Sequence, residues 1–275
     1  MSLESFSPGA RPEEVSAALF DGALIVFRDV APVLDLVRRV RSIVEDIFAT
    51  AHPEEAEARM EPAPLRKAIR RARQAVEQDE AANQAWREAL EAIGYSPDAM
   101  YLDRVRLRVV PSRKEVSSRV IRPLPAHRDT WGSGIMAQVN WWLPLYPLAP
   151  TRTMRVWPEA FRSPIENDSG TWDYEAFRER SNEDYPLLPL ARAAPEGLGL
   201  PILIEPGAVL AFSAAHLHAS ATDASARSRF TIDTRTVWAD DARAGRGAPN
   251  VDGAARRARW EWFRPGGSYS ECQLP

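Results

Sequence analysis

The chain has one cysteine, Cys272, in 275 residues, and only four histidines. A lone cysteine excludes disulfides within the chain and argues against thiolate metal clusters or a catalytic thiol. Lysine is almost missing too: 33 of the 35 basic residues are arginine, and the formal net charge is −3. That balance argues against a general nucleic-acid binder, which concentrates positive charge. No apolar run reaches the 18 residues of a membrane span. The opening stretch MSLESFSPGARPEEV has neither a basic start nor the apolar stretch of a secretory leader. The expectation is therefore a cytoplasmic protein with no membrane and no nucleic-acid partner. Oligomeric state stays open.

What is present is a sizeable apolar fraction, 45%. It is enough for one domain over residues 1–275 with a buried core. A buried-strand pattern at Ala23 to Phe27 follows a turn at Asp21-Gly22. An amphipathic helix then starts near Pro32, with Leu34, Val37, Val40, Ile43, Val44 and Ile47 at helical spacing. Residues 53–93 are rich in Ala, Glu, Arg and Gln and predict two or more helices, interrupted at Pro62 and Pro64. The basic run RKAIRRAR at 66–73 is expected to be a solvated helix face. Residues 1–100 are thus mostly helical.

From residue 101 the period changes to two. YLDRVRLRVV alternates apolar residues with Arg104, Arg106 and Arg108, and predicts a half-buried strand with a cationic face, suited to an anionic substrate group or to surface ion pairs. Further strands are expected around 127 and at 136–146, 153–157, 202–205, 208–213 and 229–238, a density that predicts a sandwich or barrel over 101–240. Residues 158–200 are irregular and proline-broken. They form a candidate lid whose Phe161, Trp172, Tyr174, Phe177 and Tyr185 would either close over a substrate or anchor the excursion.

Three of the four histidines fall in one constellation: His127-Arg128-Asp129, then after a long interval His216 and His218, then Arg229 eleven positions beyond His218. In an extended segment, residues i and i+2 share a face, so His127 and Asp129 can approach one metal while Arg128 points away. Two imidazoles and one carboxylate make the facial triad of non-haem Fe(II), which leaves the opposite coordination positions open. Alternation does not separate His216 from His218, since both would face the same way.

At these residues the chain resembles the Fe(II)/2-oxoglutarate-dependent dioxygenases, and among them the phytanoyl-CoA dioxygenase-like branch. The matching residues are His127-X-Asp129, the distal His218, and Arg229-Phe230-Thr231 as an Arg-X-Thr, over about residues 101–238. The resemblance favours His218 over His216 as the distal ligand. It implies a mainly β fold with helices: a double-stranded β-helix, or jelly-roll barrel, with an N-terminal helical layer. It also implies Fe(II), 2-oxoglutarate as co-substrate, and dioxygen, with release of succinate and CO2 and hydroxylation of a C–H bond in a small molecule, amino-acid derivative or peptide-like metabolite.

Arg229 would grip the distal carboxylate of 2-oxoglutarate, with Thr231 adding a hydroxyl; Arg227 and Arg235 are alternatives. Asn140 and Gln138 on the strand AQVNWW are candidates to bond the co-substrate, and Trp131 and Trp157 to shape the cavity. The carboxylate at Asp129 argues against halogenation, because the family's halogenases carry Gly or Ala there. The competing expectation is a cupin-like barrel that binds a metal or ligand without oxygenase chemistry.

Overall fold

A computed structural model describes residues 3–179, 185–193 and 195–267. Cys272 and parts of the 158–200 stretch lie outside them. The helices are α1 (Pro12–Asp21), α2 (Ala31–Phe48), α3 (Ala56–Arg59), α4 (Pro62–Gln78), α5 (Glu80–Ile93), α6 (Thr130–Ser133), α7 (Tyr174–Glu179) and α8 (Ala239–Arg243). The strands are β1 (Glu4–Ser5), β2 (Leu24–Phe27), β3 (Met100–Leu102), β4 (Arg106–Val110), β5 (Gln138–Pro144), β6 (Met154–Val156), β7 (Leu200–Pro201), β8 (Val209–Ser213), β9 (His218–Ser220), β10 (Arg229–Trp238) and β11 (Arg264–Pro265).

Local chemistry sets the helix ends. Prolines open α1, α2 and α4, where a missing N–H costs nothing. Pro62 and Pro64 thus begin α4 instead of breaking it. Asp79 caps α5 by accepting from the Ala82 N–H at 2.7 Å. Gly22 ends α1 with φ of 106°, a left-handed conformation that glycine adopts without strain.

The main sheet runs β1-β2-β8-β5-β10-β3-β11, with β4 also paired to β10. A smaller sheet runs β7-β6-β9. Residues 124–127 lie along β9: His127 and His218 exchange two backbone hydrogen bonds of 3.0 Å, and Ser220 N–H donates to Leu124 O at 2.9 Å. Among the described residues the strands form two open sheets, and the ladder does not close into a barrel.

Two strand expectations change. The run at 101–110 divides into β3 and β4, because the Asp103 carboxylate turns inward to accept from Arg104 N–H at 2.8 Å and from Arg235 Nε at 2.8 Å. The run at 202–205 stays outside the ladder. Ile202 and Ile204 are buried there, but the sheet pairing falls one step earlier, at β7.

Alternation gives the main sheet two faces. Val139, Trp141 and Leu143 of β5, and Phe230 and Ile232 of β10, pack under the helices against residues such as Val40, Ile69, Trp86 and Leu90. Trp141 sits at the centre, with ring centroids of Trp86 at 5.4 Å and Phe27 at 6.1 Å. On the other face Trp142, Leu210 and Phe212 meet Met154, Val156, Ile202 and Ile204. The remainder of that face is polar and lines a cavity. No helix among the described residues is long and apolar enough to cross a membrane.

Candidate metal centre

His127, Asp129 and His218 each offer a ligand atom, all within 4.8 Å of one another, and form a group able to hold one metal ion. The β-bridge between His127 and His218 places the two imidazoles with ring centroids 4.1 Å apart. His127 Nδ1 lies 2.7 Å from Pro125 O, and His218 Nδ1 lies 2.9 Å from His216 O. Each Nδ1 therefore carries the proton and donates it to a carbonyl, which leaves each Nε2 lone pair free for a metal. Burial pushes the His218 imidazole down to about 3, so the ring is neutral at pH 7, the form that ligates.

Asp129 reaches this group differently from the expected alternation. Its φ of −68° and ψ of −27° are helical, and it starts α6 instead of continuing a strand. Its Oδ1 comes to 3.5 Å from His127 Nε2. Burial works to raise the Asp129 carboxyl, but the contact with His127, the neighbouring His218 ring and the Arg235 guanidinium hold it well below the usual carboxylate range.

The two amides of β5 orient this carboxylate. Asn140 Nδ2 donates to Asp129 Oδ2 at 2.7 Å, and Gln138 Nε2 donates to Asn140 Oδ1 at 2.8 Å. Gln138 is fully buried behind the cavity, whereas Asn140 lines it. Each amide thus spends one N–H on the relay that fixes Asp129, and of the two candidates for bonding a co-substrate only Asn140 lines the cavity.

Arg128 does point away, but into the protein. At 1% exposure it bonds Asp252 at 3.0 Å, Ala160 O at 2.7 Å, Ser163 O at 2.9 Å and also Ala215 O. Four acceptors from three distant segments satisfy a buried guanidinium completely enough to offset its desolvation.

Arg229 lies on β10 with 4% exposure, facing the cavity, and its Nε and Nη1 are buried without a hydrogen-bond partner. Its Nη2 makes one long hydrogen bond, to Ser220 Oγ at 3.4 Å. Burial pushes it down to about 9, which still leaves it charged at pH 7. Thr231 is fully buried, and its hydroxyl donates to Asp233 Oδ1 at 2.9 Å, so its proton is not free for a co-substrate carboxylate. Burial raises the Asp233 carboxyl, against the pull of Arg108 and Arg229.

His216 is turned away from the triad. Its ring nitrogens lie 3.1 Å from Ser213 O and 3.1 Å from Gly22 O, and the ring packs on Phe161. Arg227 pairs with Glu55 away from the cavity, and Arg235 lines it but is bound to Asp103. Trp131 and Trp157 pack in a satellite core and do not line the cavity.

The cavity has a volume of about 770 Å³. Tyr174, Phe177, Leu187 and Leu188 from the 158–200 stretch form one wall. Phe161 and Trp172 are buried to the side, and Tyr185 accepts no place in the lining. The sequence reading missed Arg73, Asp233 and Trp262, which also line it. Asp233 was findable by extending the alternation of Arg229 and Thr231 by one step. Arg73 and Trp262 reach the cavity only through tertiary packing.

No protein-family model matches the chain, and no curated protein matches it. Solved structures do. EctD from S. alaskensis in its apo form is 18% identical with a TM-score of 0.46, over 99% of this chain and 91% of that one. The non-haem monooxygenase ThoJ in its apo form is 14% identical with a TM-score of 0.43, over 90% and 85%. EvdO2 from Micromonospora carbonacea var. aurantiaca, complexed with 2-oxoglutarate, is 11% identical with a TM-score of 0.40, over 70% and 69%. The chain spans 30% of the length of a further match, EvdMO1. At these identities the functional assignment rests on the side chains of the cavity.

Proposed function

We propose that the protein is a non-haem Fe(II)/2-oxoglutarate-dependent oxygenase acting on a C–H bond of a small molecule, with hydroxylation as the outcome. One observation carries the reading. Two imidazoles with free Nε2 atoms and a carboxylate share a cavity with a buried arginine whose Nε and Nη1 have no partner. A purely metal-binding cupin-like protein has no need of that arginine, because a guanidinium buried without an acceptor is costly.

The donor set fits iron: two nitrogens and one oxygen, with the rest of the coordination sphere facing the cavity. When bound, the metal and 2-oxoglutarate supply the oxidising chemistry, coupled to release of succinate and CO2. His127, Asp129 and His218 hold the metal, and Asn140 with Gln138 fixes the carboxylate's rotation. Arg229 takes the far carboxylate of 2-oxoglutarate with two charge-assisted hydrogen bonds. The aromatic wall of Tyr174 and Phe177 excludes water around the substrate. The geometry carries the oxygenase reading as a whole and not the phytanoyl-CoA dioxygenase-like branch in particular.

The test is succinate release from 2-oxoglutarate under air with Fe(II), against the same protein without metal. Metal-dependent succinate that disappears in Arg229→Leu supports the assignment. Tight metal binding with no affinity for 2-oxoglutarate selects the cupin-like alternative.

A further inference from the structure

Beyond the triad and Arg229, the cavity carries charge that neither role uses. Its lining holds six more arginines (73, 104, 106, 108, 235 and 264) against four carboxylates other than Asp129, namely Glu77, Asp103, Asp233 and Glu261. Most of these carboxylates are already engaged. Asp103 is shared by Arg106 and Arg235, Glu77 pairs with Arg106 at 3.2 Å, and Asp233 faces Arg108 at 3.8 Å. Arg73 is left over.

Arg73 projects from α4 over the edge strand β4. Its one hydrogen bond goes to a backbone carbonyl, Val120 O at 3.2 Å, and among the described residues no carboxylate pairs with it. Burial lowers it, and the nearby Arg108 and Arg106 lower it further, against the weaker pull of Glu77 and Asp233. Behind Val120, Arg119 has Nε and Nη2 buried without partners, and its guanidinium stacks 3.9 Å from the Phe177 ring centroid. Arg122 Nε is buried without a partner as well. Arg119 and Arg122 lie outside the lining, so an anion entering the cavity meets Arg73 and Arg108, and a buried guanidinium whose one acceptor is a backbone carbonyl is stabilised by it. The facing wall of Phe177, Leu187 and Leu188 is apolar.

We propose that Arg73, with Arg108 beside it, is a subsite for an oxyanion, carboxylate or phosphate, carried on the otherwise apolar body of the substrate. The metal end of the cavity and Arg229 are occupied by the co-substrate in the reading above, on which this inference rests, so the anion must belong to the second reactant. The substrate class is then an amphiphilic acid. Its charged head docks at α4 and β4, and its hydrocarbon part lies against α7, leading to the metal. Uncharged metabolites of the same shape are discriminated against, because they leave Arg73 desolvated and unpaired.

The test uses matched probes on the protein loaded with Ni(II), which does not turn over, and 2-oxoglutarate. Isothermal titration with 4-phenylbutyrate, 3-phenylpropyl phosphate and 4-phenylbutyramide is expected to show at least one acid binding about tenfold more tightly than the amide. The tighter acid tells carboxylate from phosphate. Arg73→Leu should erase the preference, Arg73→Lys should keep part of it, and Arg73→Glu should invert it toward 4-phenylbutylamine. Equal binding of acids and amide, no binding of any probe, or a preference that survives Arg73→Leu in a folded protein overturns the subsite. Titration of 2-oxoglutarate alone separates the two readings. If it does not bind, the oxygenase assignment fails, and the probes, titrated without it, still decide the subsite.

Discussion

The two faces of the main sheet are built from the same strands and follow opposite rules. Along β10, Phe230 and Ile232 disappear under the helices, while Arg229, Asp233 and Arg235 line the cavity between them. The helix-covered face works by volume and apolar area, so each residue contributes in proportion to what it buries. The cavity face works by pairing. Most of its polar groups have one acceptor or donor fixed by geometry, and the few that do not, Arg229 above all, mark where a ligand belongs. Neighbouring positions on one strand should therefore fail in different ways.

The largest effect is expected at the triad. Asp129→Ala removes one of three ligand groups and leaves the Asn140 amide without its acceptor. Fe(II)-dependent succinate release should fall below detection, and metal content after dialysis should drop to background. Retention of stoichiometric metal would refute the assignment of Asp129. Next is Ile232→Ala, which should lower stability by about 2–5 kcal/mol by chemical denaturation, with the affinity for 2-oxoglutarate unchanged. Arg229→Leu should do the converse, leaving the denaturation midpoint near that of the parent while weakening 2-oxoglutarate by about one to two powers of ten. If both substitutions weaken co-substrate and stability together, the two faces are not independent and the contrast collapses.

Acid sharpens the same contrast. Burial depresses His216 to about 4 and His218 to about 3, so the folded protein holds both rings neutral where the unfolded chain would protonate them. Stability is then fully present above the unfolded imidazole value of about 6.5 and falls as the pH drops toward the folded values. The slope is about 1.4 kcal/mol per pH unit for each proton. Metal-free protein melted between pH 8 and pH 5 should show this decline, and His216→Asn should flatten part of it. The smallest effect is expected at the aromatic wall: Phe177→Ala should weaken 4-phenylbutyrate by a few-fold at most and leave 2-oxoglutarate alone.

The sequence carried the sidedness of these strands and the residues of the candidate metal group, because both are written in short local patterns. Alternation separates Ile232 from Arg229, and the spacing of His127, Asp129, His218 and Arg229 is written in the chain. It did not carry the path by which Asp129 arrives, because an aspartate that begins a helical turn looks the same in a one-dimensional pattern as one in a strand. The hydrogen bonds of Asn140 and Thr231 were not legible for a related reason. Each shares a face with the site and donates to a neighbouring carboxylate, a choice settled by distances of a few ångströms. Arg128, Arg73 and Trp262 owe their positions to segments far away in sequence. No period reports that.

The backbone bridge between His127 and His218 has a consequence for how this chain can vary. Two groups separated by a long stretch of sequence are, in space, one paired step of a ladder, each fixed by the other's amide and carbonyl. Within the stretch between them Asp129, β5, β6 and β8 are tied to the site, but the part carrying α7 can be rewritten without displacing the bridge, since the two backbone hydrogen bonds set the separation of the imidazoles. That part brings Tyr174 and Phe177 of α7, with Leu187 beyond it, into the cavity lining. Inheritance can thus exchange the wall that meets the reactant while the inorganic half of the site stays constant, a division of labour decided by two hydrogen bonds.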